Sequence, residues 1–465
     1  MRILLIQPGS GQAKVGFSAA VRTEPLALEI IAASVPEHEV RILDMRIEPN
    51  LGQSLSSFSP QLVGITGYTP DVPTMLDICR QVKSYGQGIA TVVGGYHASL
   101  CPQDFDSPHV DVVAVGEGEV TLRELAEAME EERDLATVDG IICRCDGQQV
   151  PTRPRSLSPN LNSVPLPARH LTAHYRSHYY FHFWENPYTV ETARGCPYRC
   201  SFCAVWKFHQ GKCRAKSPEA VLEDLQNIPS PIVCYVDDNF LQDLRRAERL
   251  YELIKASGIQ HQYWIQARAD TIVKHPDIVK KWASIGLKAV LIGFEGFRDE
   301  ELEKFNKRSS VSANEKAMEI LGDNGVDTWG AFIVDPQWGR PEFDALIDYV
   351  CRMRIAYPFF TILTPIPGTA FFKEKLKELT TSNYELFDFL HSVLPTKLSL
   401  EEFYANMARL YARTAFGLTE LRSRIRSGQV PRSSLKRVRE ILEEVTSPET
   451  YLKGARTGTD PCTQS

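Results

Sequence analysis

Two successive series of short apolar runs, each alternating with helix-like stretches, constrain this chain more than any other feature. The first series is Ile3–Ile6, Val40–Leu43, Leu62–Thr66, Ala90–Val93 and Val110–Val115, with helical patterning at Pro25–Ala33, Val72–Ser84 and Glu119–Glu131. Such alternation predicts a doubly wound, mostly parallel α/β sheet of the Rossmann kind. The second series is Tyr188–Ala193, Ile232–Val236, Tyr263–Ala267, Ala289–Phe294, Thr328–Val334 and Phe359–Thr364, separated by stretches such as Pro218–Asn227 and Leu244–Ser257. Six βα units of this kind predict a partial TIM-like barrel. Both architectures place their working residues at the carboxyl ends of the strands, so the residues after each run carry the functional argument.

The first run of the second series leads into Glu191–Lys216, ETARGCPYRCSFCAVWKFHQGKCRAK, which holds Cys196, Cys200 and Cys203 in a CxxxCxxC loop. Three thiolates on one loop hold three irons of a 4Fe–4S cluster and leave the fourth open for a ligand. The competing reading is structural zinc, with His209 or Cys213 as fourth ligand. Later strand ends carry Asp237, Asp238 and Asn239, then Gln266 and Arg268, then Glu295. Each of these reads either as a ligand contact or as half of a buried ion pair. In the first series the strand ends carry Thr66, Gly67, Gly94, Gly95, Gly116, Glu117 and Gly118, with His97 close behind. Glycine there lets a ligand approach the backbone.

The cysteine loop and its setting resemble the radical S-adenosylmethionine (SAM) enzymes, and the six-unit region resembles their (βα)₆ core. The resemblance implies that the open iron chelates SAM and that Phe202 packs near its adenine. It also implies that Asp237 and Asp238 accept from the SAM ammonium, where relatives have Gly-Gly-Glu. Arg268 would then face the SAM carboxylate and Glu295 the ribose, with Gln266 beside them. The turns ITGYTPDV, VVGGYHAS and VAVGEGEVTLREL are similar to those of the cobalamin-binding domain that precedes one subgroup of these enzymes. The wider cobalamin family supplies a histidine from Asp-x-His-x-x-Gly. Here the matching place reads Asp44-Met-Arg-Ile-Glu-Pro49, so no histidine ligand to cobalt is expected from that loop. His97 is expected to line a loop near the cofactor tail. Thr364-Pro-Ile-Pro-Gly-Thr369 matches the family's Pro-Gly-Thr ending.

The resemblance covers the chain to about Phe416. It implies reductive cleavage of SAM, hydrogen abstraction by the resulting 5′-deoxyadenosyl radical, and methyl transfer from cobalamin to an unactivated carbon. Ala204–Phe208 and a stretch read as helical, Phe387–Thr396, most resemble the hopanoid C-3 methylases. Tetrapyrrole (bacteriochlorophyll) methylases and oxidative cyclases are close in pattern. A non-catalytic cobalamin sensor with a zinc loop is the alternative of another class. The expected electron donor is a flavodoxin or ferredoxin.

These motifs divide the chain into a cobalamin-binding domain (1–135), a hairpin and Pro-rich linker (136–184), a radical SAM core (185–375), a helical region (376–453) and a disordered tail (454–465). The hairpin turns at Asp146-Gly147, and His170–Trp184 reads as a packed aromatic connector and not as a metal site. A net charge of −6 gives no case for nucleic-acid binding. Eleven cysteines without a regular framework suit a reducing compartment. No run approaches the ~20 apolar residues of a membrane span, and the expected location is cytoplasmic. Arg409–Arg439 carries nine Lys and Arg against Glu420 alone. This stretch, including Arg422, Arg424, Arg426, Arg432, Lys436, Arg437 and Arg439, is expected to allow peripheral contact with an anionic membrane surface.

Overall fold

The computed structural model describes residues 1–9, 20–414, 425–426 and 434–457. These form two compact units, one holding the N-terminal strand and Glu24–His178, the other Val21–Arg22 and the chain from Tyr179 onward.

In the first unit a seven-stranded sheet runs in the order Glu39–Asp44, Arg2–Gln7, Leu62–Thr66, Ala90–Gly94, Val112–Ala114, Ile141–Cys145, Gln148–Pro151. The first five are parallel. Their interiors are continuously apolar because helices cover both faces. Ile3, Leu5, Ile42, Leu62, Val92 and Val112 pack with Leu122, Leu125 and Ala126 of the Gly118–Glu130 helix. The sequence reading placed the 141–151 hairpin in a linker outside this domain. It is instead the antiparallel edge of the same sheet, with Cys143 paired to Val112 and buried in the shared core. Its turn has positive φ at both Asp146 and Gly147, which matches the twist of the flanking strands.

In the second unit six parallel strands follow chain order: Tyr188–Val190, Ile232–Tyr235, Gln262–Gln266, Leu287–Glu295, Asp327–Val334 and Tyr357–Ile362. These are the six expected strands, shifted by two residues or fewer at most ends. A small sheet of Val21–Arg22, Tyr180–Phe181 and Trp184–Glu185 accompanies them. From it Phe181 packs against Trp264 and Trp329, at ring-centre distances of 4.8 and 5.3 Å. The connector is therefore packed by its aromatic end, whereas His170, His174 and His178 are exposed on a run of 3₁₀ turns, Arg169–His178.

Two expectations for the C-terminal region need correction. Phe387–Thr396 is not helical. Its backbone groups are satisfied elsewhere: Ile362 N–H of the last barrel strand donates to Phe389 C=O at 2.7 Å. Asp388 accepts from the Leu390 and His391 N–H groups at 2.9 and 3.0 Å. Asp388 also holds Nδ1 of the fully buried His391, whose Nε2 meets the Tyr451 carbonyl at 3.1 Å. Second, the Pro448–Thr457 helix runs through Gly454, where a disordered tail was expected to begin.

Arg437 is also tied down. Its guanidinium lies 4.0 Å from the centre of the Tyr180 ring and donates to His182 C=O at 3.2 Å. Lys436 and Arg439 pair with Glu440 and Glu443 on their own helix. Arg422, Arg424 and Arg432 lie outside the described residues. No helix among the described residues is long and apolar enough to cross a membrane.

Candidate active site

The cysteine loop is held open by bonds that begin before the first cysteine. Asp237, buried just after the second barrel strand, accepts from the Thr192 and Ala193 N–H groups at 2.7 and 3.0 Å and from the Thr192 hydroxyl. Arg246 completes the group, 3.5 Å from Asp237 and donating to Thr192 Oγ1 at 2.9 Å. Asp237 is thus committed to shaping the loop, and the expectation that it receives the SAM ammonium is corrected. Its neighbour Asp238 accepts a single bond, from Gly195 N–H at 3.1 Å. Burial pushes the Asp238 carboxyl up to about 6.

Next, Ala193–Arg194 pairs antiparallel with Arg214–Ala215, closing the base of the loop. Gly195 has φ of +88°, and a Cβ there would sit 2.2 Å from Lys212 O, so no other residue fits. The far side rests on a turn after the fourth strand. Ser201 N–H donates to Phe305 O at 3.0 Å, and Asn306 Nδ2 to Arg199 O at 2.8 Å. Trp206 Nε1 donates to Cys200 O at 3.1 Å.

The three thiols are half-buried or buried, and burial pushes all three up, Cys203 to about 12. Metal binding takes the thiolate form and releases these protons. Their sulfurs do not all lie within 4.8 Å of one another. Tetrahedral zinc at a Zn–S length of about 2.3 Å would bring them to roughly 3.8 Å. Three thiols on one loop fit the three protein ligands of a 4Fe–4S cluster.

Around the thiols, Arg268 lies 3.7 Å from the centre of the Tyr198 ring, inside the cysteine loop. It also donates to Asp270 at 2.9 Å and to the Lys307 and Arg308 carbonyls at 2.8 and 3.0 Å. These contacts make it a clamp between two loops, and they use much of the donor capacity that was assigned to a carboxylate. Glu295, at a positive φ of 61°, pairs with Lys307 at 2.7 Å. Both lie close enough to Cys200 to influence its charge. Phe202 packs edge-on against Phe305, at 5.5 Å, in an apolar patch with Ile333, Leu363 and Phe371. Gln266 ends its strand half-buried. Lys307, Tyr198 and Arg246 were not foreseen. Lys307 lies in a turn between helices, away from any strand end, and only the turn-forming Asn306 nearby hints at it.

At the carboxyl ends of the N-terminal sheet, two turns abut. Gly95 has φ of +100°, and a Cβ there would lie 2.7 Å from Thr66 Oγ1 and 2.9 Å from Gly67 O. Around Gly116, by contrast, a Cβ would meet nothing within 4 Å. Gly118 lies against Ile31, and Glu117 accepts from Ser158 N–H at 2.7 Å, which ties it to the following segment. Gly94 makes only ordinary contacts. In the loop where the wider cobalamin family has histidine, Arg46 folds back onto the fully buried Asp44, with bonds of 2.8 and 2.6 Å. His97 follows the Gly94-Gly95 turn at the start of a short helix, Tyr96–Leu100. It is buried, with Nδ1 at 3.0 Å from Thr69 Oγ1 and Nε2 at 3.0 Å from Asp104. At Gly67 the space a Cβ would take is filled by Asp71 and Met75, so among these turns the open backbone is that of Gly116.

Comparison with known proteins agrees with both halves. A B12 binding domain model matches residues 13–126, and a radical SAM superfamily model matches residues 190–350. Hopanoid C-3 methylase of Methylococcus capsulatus is 32% identical over 397 residues, covering 84% of this chain and 76% of that protein. The chain belongs to the cobalamin-dependent radical SAM methylases. The anaerobic magnesium-protoporphyrin IX monomethyl ester cyclase of Rubrivivax gelatinosus is 24% identical, covering 90% of this methylase and 78% of the cyclase. Among solved structures, TsrM of Kitasatospora setae, with cobalamin and a [4Fe-4S] cluster bound, superposes with a TM-score of 0.68. It is 17% identical and covers 90% of this chain and 89% of its own. A 4Fe–4S cluster, SAM and cobalamin are the cofactors of this methylase.

Proposed function

We propose that this enzyme methylates an unactivated carbon of a hopanoid lipid, at the C-3 position. The observation that carries this reading is the 32% identity to a hopanoid C-3 methylase across 84% of the chain, against 24% for the cyclase of tetrapyrrole metabolism. With the three cofactors bound, their chemistry is hydrogen abstraction from the substrate and delivery of a methyl group. Cys196, Cys200 and Cys203 hold the cluster. Asp238, with one oxygen on Gly195 N–H, offers the other to the SAM ammonium. Phe202 supplies an apolar wall, and Glu295 with Lys307 presents a paired charge that costs little reorganisation on binding. Thr66, Gly67, Gly94, Gly95, Gly116 and Gly118 bring the turns at the sheet end to cobalamin.

A flavodoxin or ferredoxin is the fitting electron donor. A bilayer substrate also calls for surface contact, for which Arg426, Lys436 and Arg439 are exposed basic residues described in the C-terminal stretch. The test is anaerobic incubation with SAM, cobalamin and reductant against hopanoids and against tetrapyrroles, read by mass spectrometry. A single-methyl mass gain in the hopanoid alone supports the proposal. Gain or oxidation in the tetrapyrrole alone transfers the enzyme to the second reading, which the 90% coverage by the cyclase keeps in view.

A further inference from the structure

His97, Cys101 and Asp104 follow one another at H-x₃-C-x₂-D spacing, directly after the Gly94-Gly95 turn. A short helix, Tyr96–Leu100, and a 3₁₀ turn, Pro102–Phe105, stack their side chains on one side. Backbone bonds fix that stacking, from Cys101 N–H to His97 O at 2.8 Å and from Asp104 N–H to Cys101 O at 3.1 Å. One nitrogen, one sulfur and one carboxylate oxygen from the three residues all lie within 4.8 Å of one another. Among the described residues no other trio of histidine, cysteine and carboxylate side chains does so. His97 and Cys101 are buried, at 2% and 5% exposure, while Asp104 reaches solvent.

We propose that His97, Cys101 and Asp104 bind a zinc-class divalent cation. Zinc takes imidazole nitrogen at about 2.0–2.1 Å, thiolate at about 2.3 Å and carboxylate oxygen at about 2.0–2.2 Å, which puts tetrahedral neighbours roughly 3.3–3.6 Å apart. The observed 3.0 Å between His97 Nε2 and Asp104 needs only a small opening to reach that spacing. The mixed donor set suits a borderline-soft ion and is a poor match for magnesium or calcium. Charge favours the same answer. A thiolate and a carboxylate together neutralise a divalent cation, whereas either anion alone would be costly to bury beside a neutral imidazole.

The ring is already oriented as a ligand is in known sites. Nδ1 faces Thr69 Oγ1 at 3.0 Å, and that outer hydrogen bond leaves Nε2 directed at Asp104. Phe105 stands edge-on to the imidazole at 5.9 Å and closes one side. Three protein ligands leave a fourth position for water. The ion would rivet the turn after the Ala90–Gly94 strand to the segment leading into Val112–Ala114, and so stiffen a wall of the glycine-rich sheet end.

The experiment is metal analysis of the anaerobically purified full chain, grown with zinc and dialysed briefly against chelator, with zinc K-edge X-ray absorption. About one zinc per chain is expected, with one sulfur and the remaining ligands nitrogen or oxygen. It should persist in the Cys196→Ser/Cys200→Ser/Cys203→Ser variant, which cannot hold the cluster. His97→Gln and Cys101→Ser should each lose at least about five-sixths of the zinc, a shift of more than 1 kcal/mol in binding. Should either variant fail to fold, the absorption spectrum of the native chain and of the triple variant decides. Absence of zinc from the native chain overturns the proposal. So does zinc with three or more sulfur ligands, or zinc retained in both His97→Gln and Cys101→Ser.

Discussion

The two sheet ends of this enzyme are built on opposite plans. At the barrel, the residues after each strand are charged or sulfur-bearing, and nearly all are answered by a partner: Asp237 by Thr192, Ala193 and Arg246, Glu295 by Lys307, Arg268 by Asp270 and two carbonyls. At the N-terminal sheet the corresponding positions are mostly glycines, with Thr66 and with Glu117 bonded to Ser158 N–H, and what the glycines offer is shape. A site made from charges and thiolates works by chemistry and loses it when one group is removed. A site made from backbone loses its ligand when the backbone is displaced. Substitutions in the two regions should therefore fail in different ways.

The largest effect is expected at Cys200, buried at 8% exposure with its carbonyl fixed by Trp206. Cys200→Ala removes one of the three proposed cluster ligands and should abolish SAM cleavage and deplete iron, while cobalt content after cobalamin loading stays near that of the native enzyme. Normal iron content and cleavage in this variant would break the comparison at its first term.

Asp237 and Asp238 sharpen it within the barrel. Asp237→Ala leaves Arg246 buried without its carboxylate and strips two backbone N–H groups of their acceptor. Breaking a buried pair costs about 3–5 kcal/mol, so a large fall in the melting temperature is expected. Asp238→Asn keeps an oxygen for Gly195 N–H and should fold normally. It loses the charge proposed to face the SAM ammonium, and a charge-assisted hydrogen bond is worth about 1.5–3 kcal/mol, so SAM should bind roughly ten- to a hundredfold more weakly. Calorimetry of both variants with SAM reads the difference. Equal stability losses would show that the division of labour is wrong.

This pair also marks how far the sequence could be read. Adjacent aspartates after an apolar run look alike in one dimension, because the run does not say which carboxylate turns inward to the preceding strand's loop. The three cysteines were legible since their spacing is local, and the six barrel strands were legible since each is a continuous apolar run. The Phe387–Thr396 segment was misread as a helix because its apolar residues mimic helical spacing, while its backbone partner, Ile362, lies 27 residues away from Phe389 in sequence. The partners of His97 were not legible, because nothing in its neighbourhood reveals that Asp104 and Thr69 take both nitrogens.

Gly95 tests the backbone plan. Gly95→Ala would bring a Cβ to 2.7 Å from Thr66 Oγ1 at a φ of +100°. Strain of this kind costs about 1–3 kcal/mol. The expected result is cobalamin affinity weakened by about tenfold or more, with iron content and SAM cleavage unchanged. Loss of both cofactors together would mean that the two sheet ends do not fail independently.

The smallest expected effect concerns a buried carboxylate that is less well answered than Asp237. Glu29, on the Leu26–Ala33 helix of the N-terminal unit, is fully buried and accepts from the Thr172 hydroxyl. Its other oxygen has no hydrogen-bond partner, with Arg169 3.6 Å away. Burial, reinforced by the nearby Glu24, raises its carboxyl from 4.5 to about 7. The folded protein therefore holds a proton on Glu29 that the unfolded chain releases at lower pH. Between about pH 4.5 and 7 the folded state binds more protons, so this group's contribution to stability falls as pH rises through that window and levels off above it. Glu29→Gln keeps a neutral acceptor for Thr172 and removes the titration. Chemical denaturation at intervals from pH 5 to 8 should show a flatter profile for Glu29→Gln and a small gain over the native enzyme at the alkaline end. A variant that is less stable at pH 8 would show that the ionised carboxylate is held favourably by Arg169 and Arg176, and that the N-terminal unit answers its charges as fully as the barrel does.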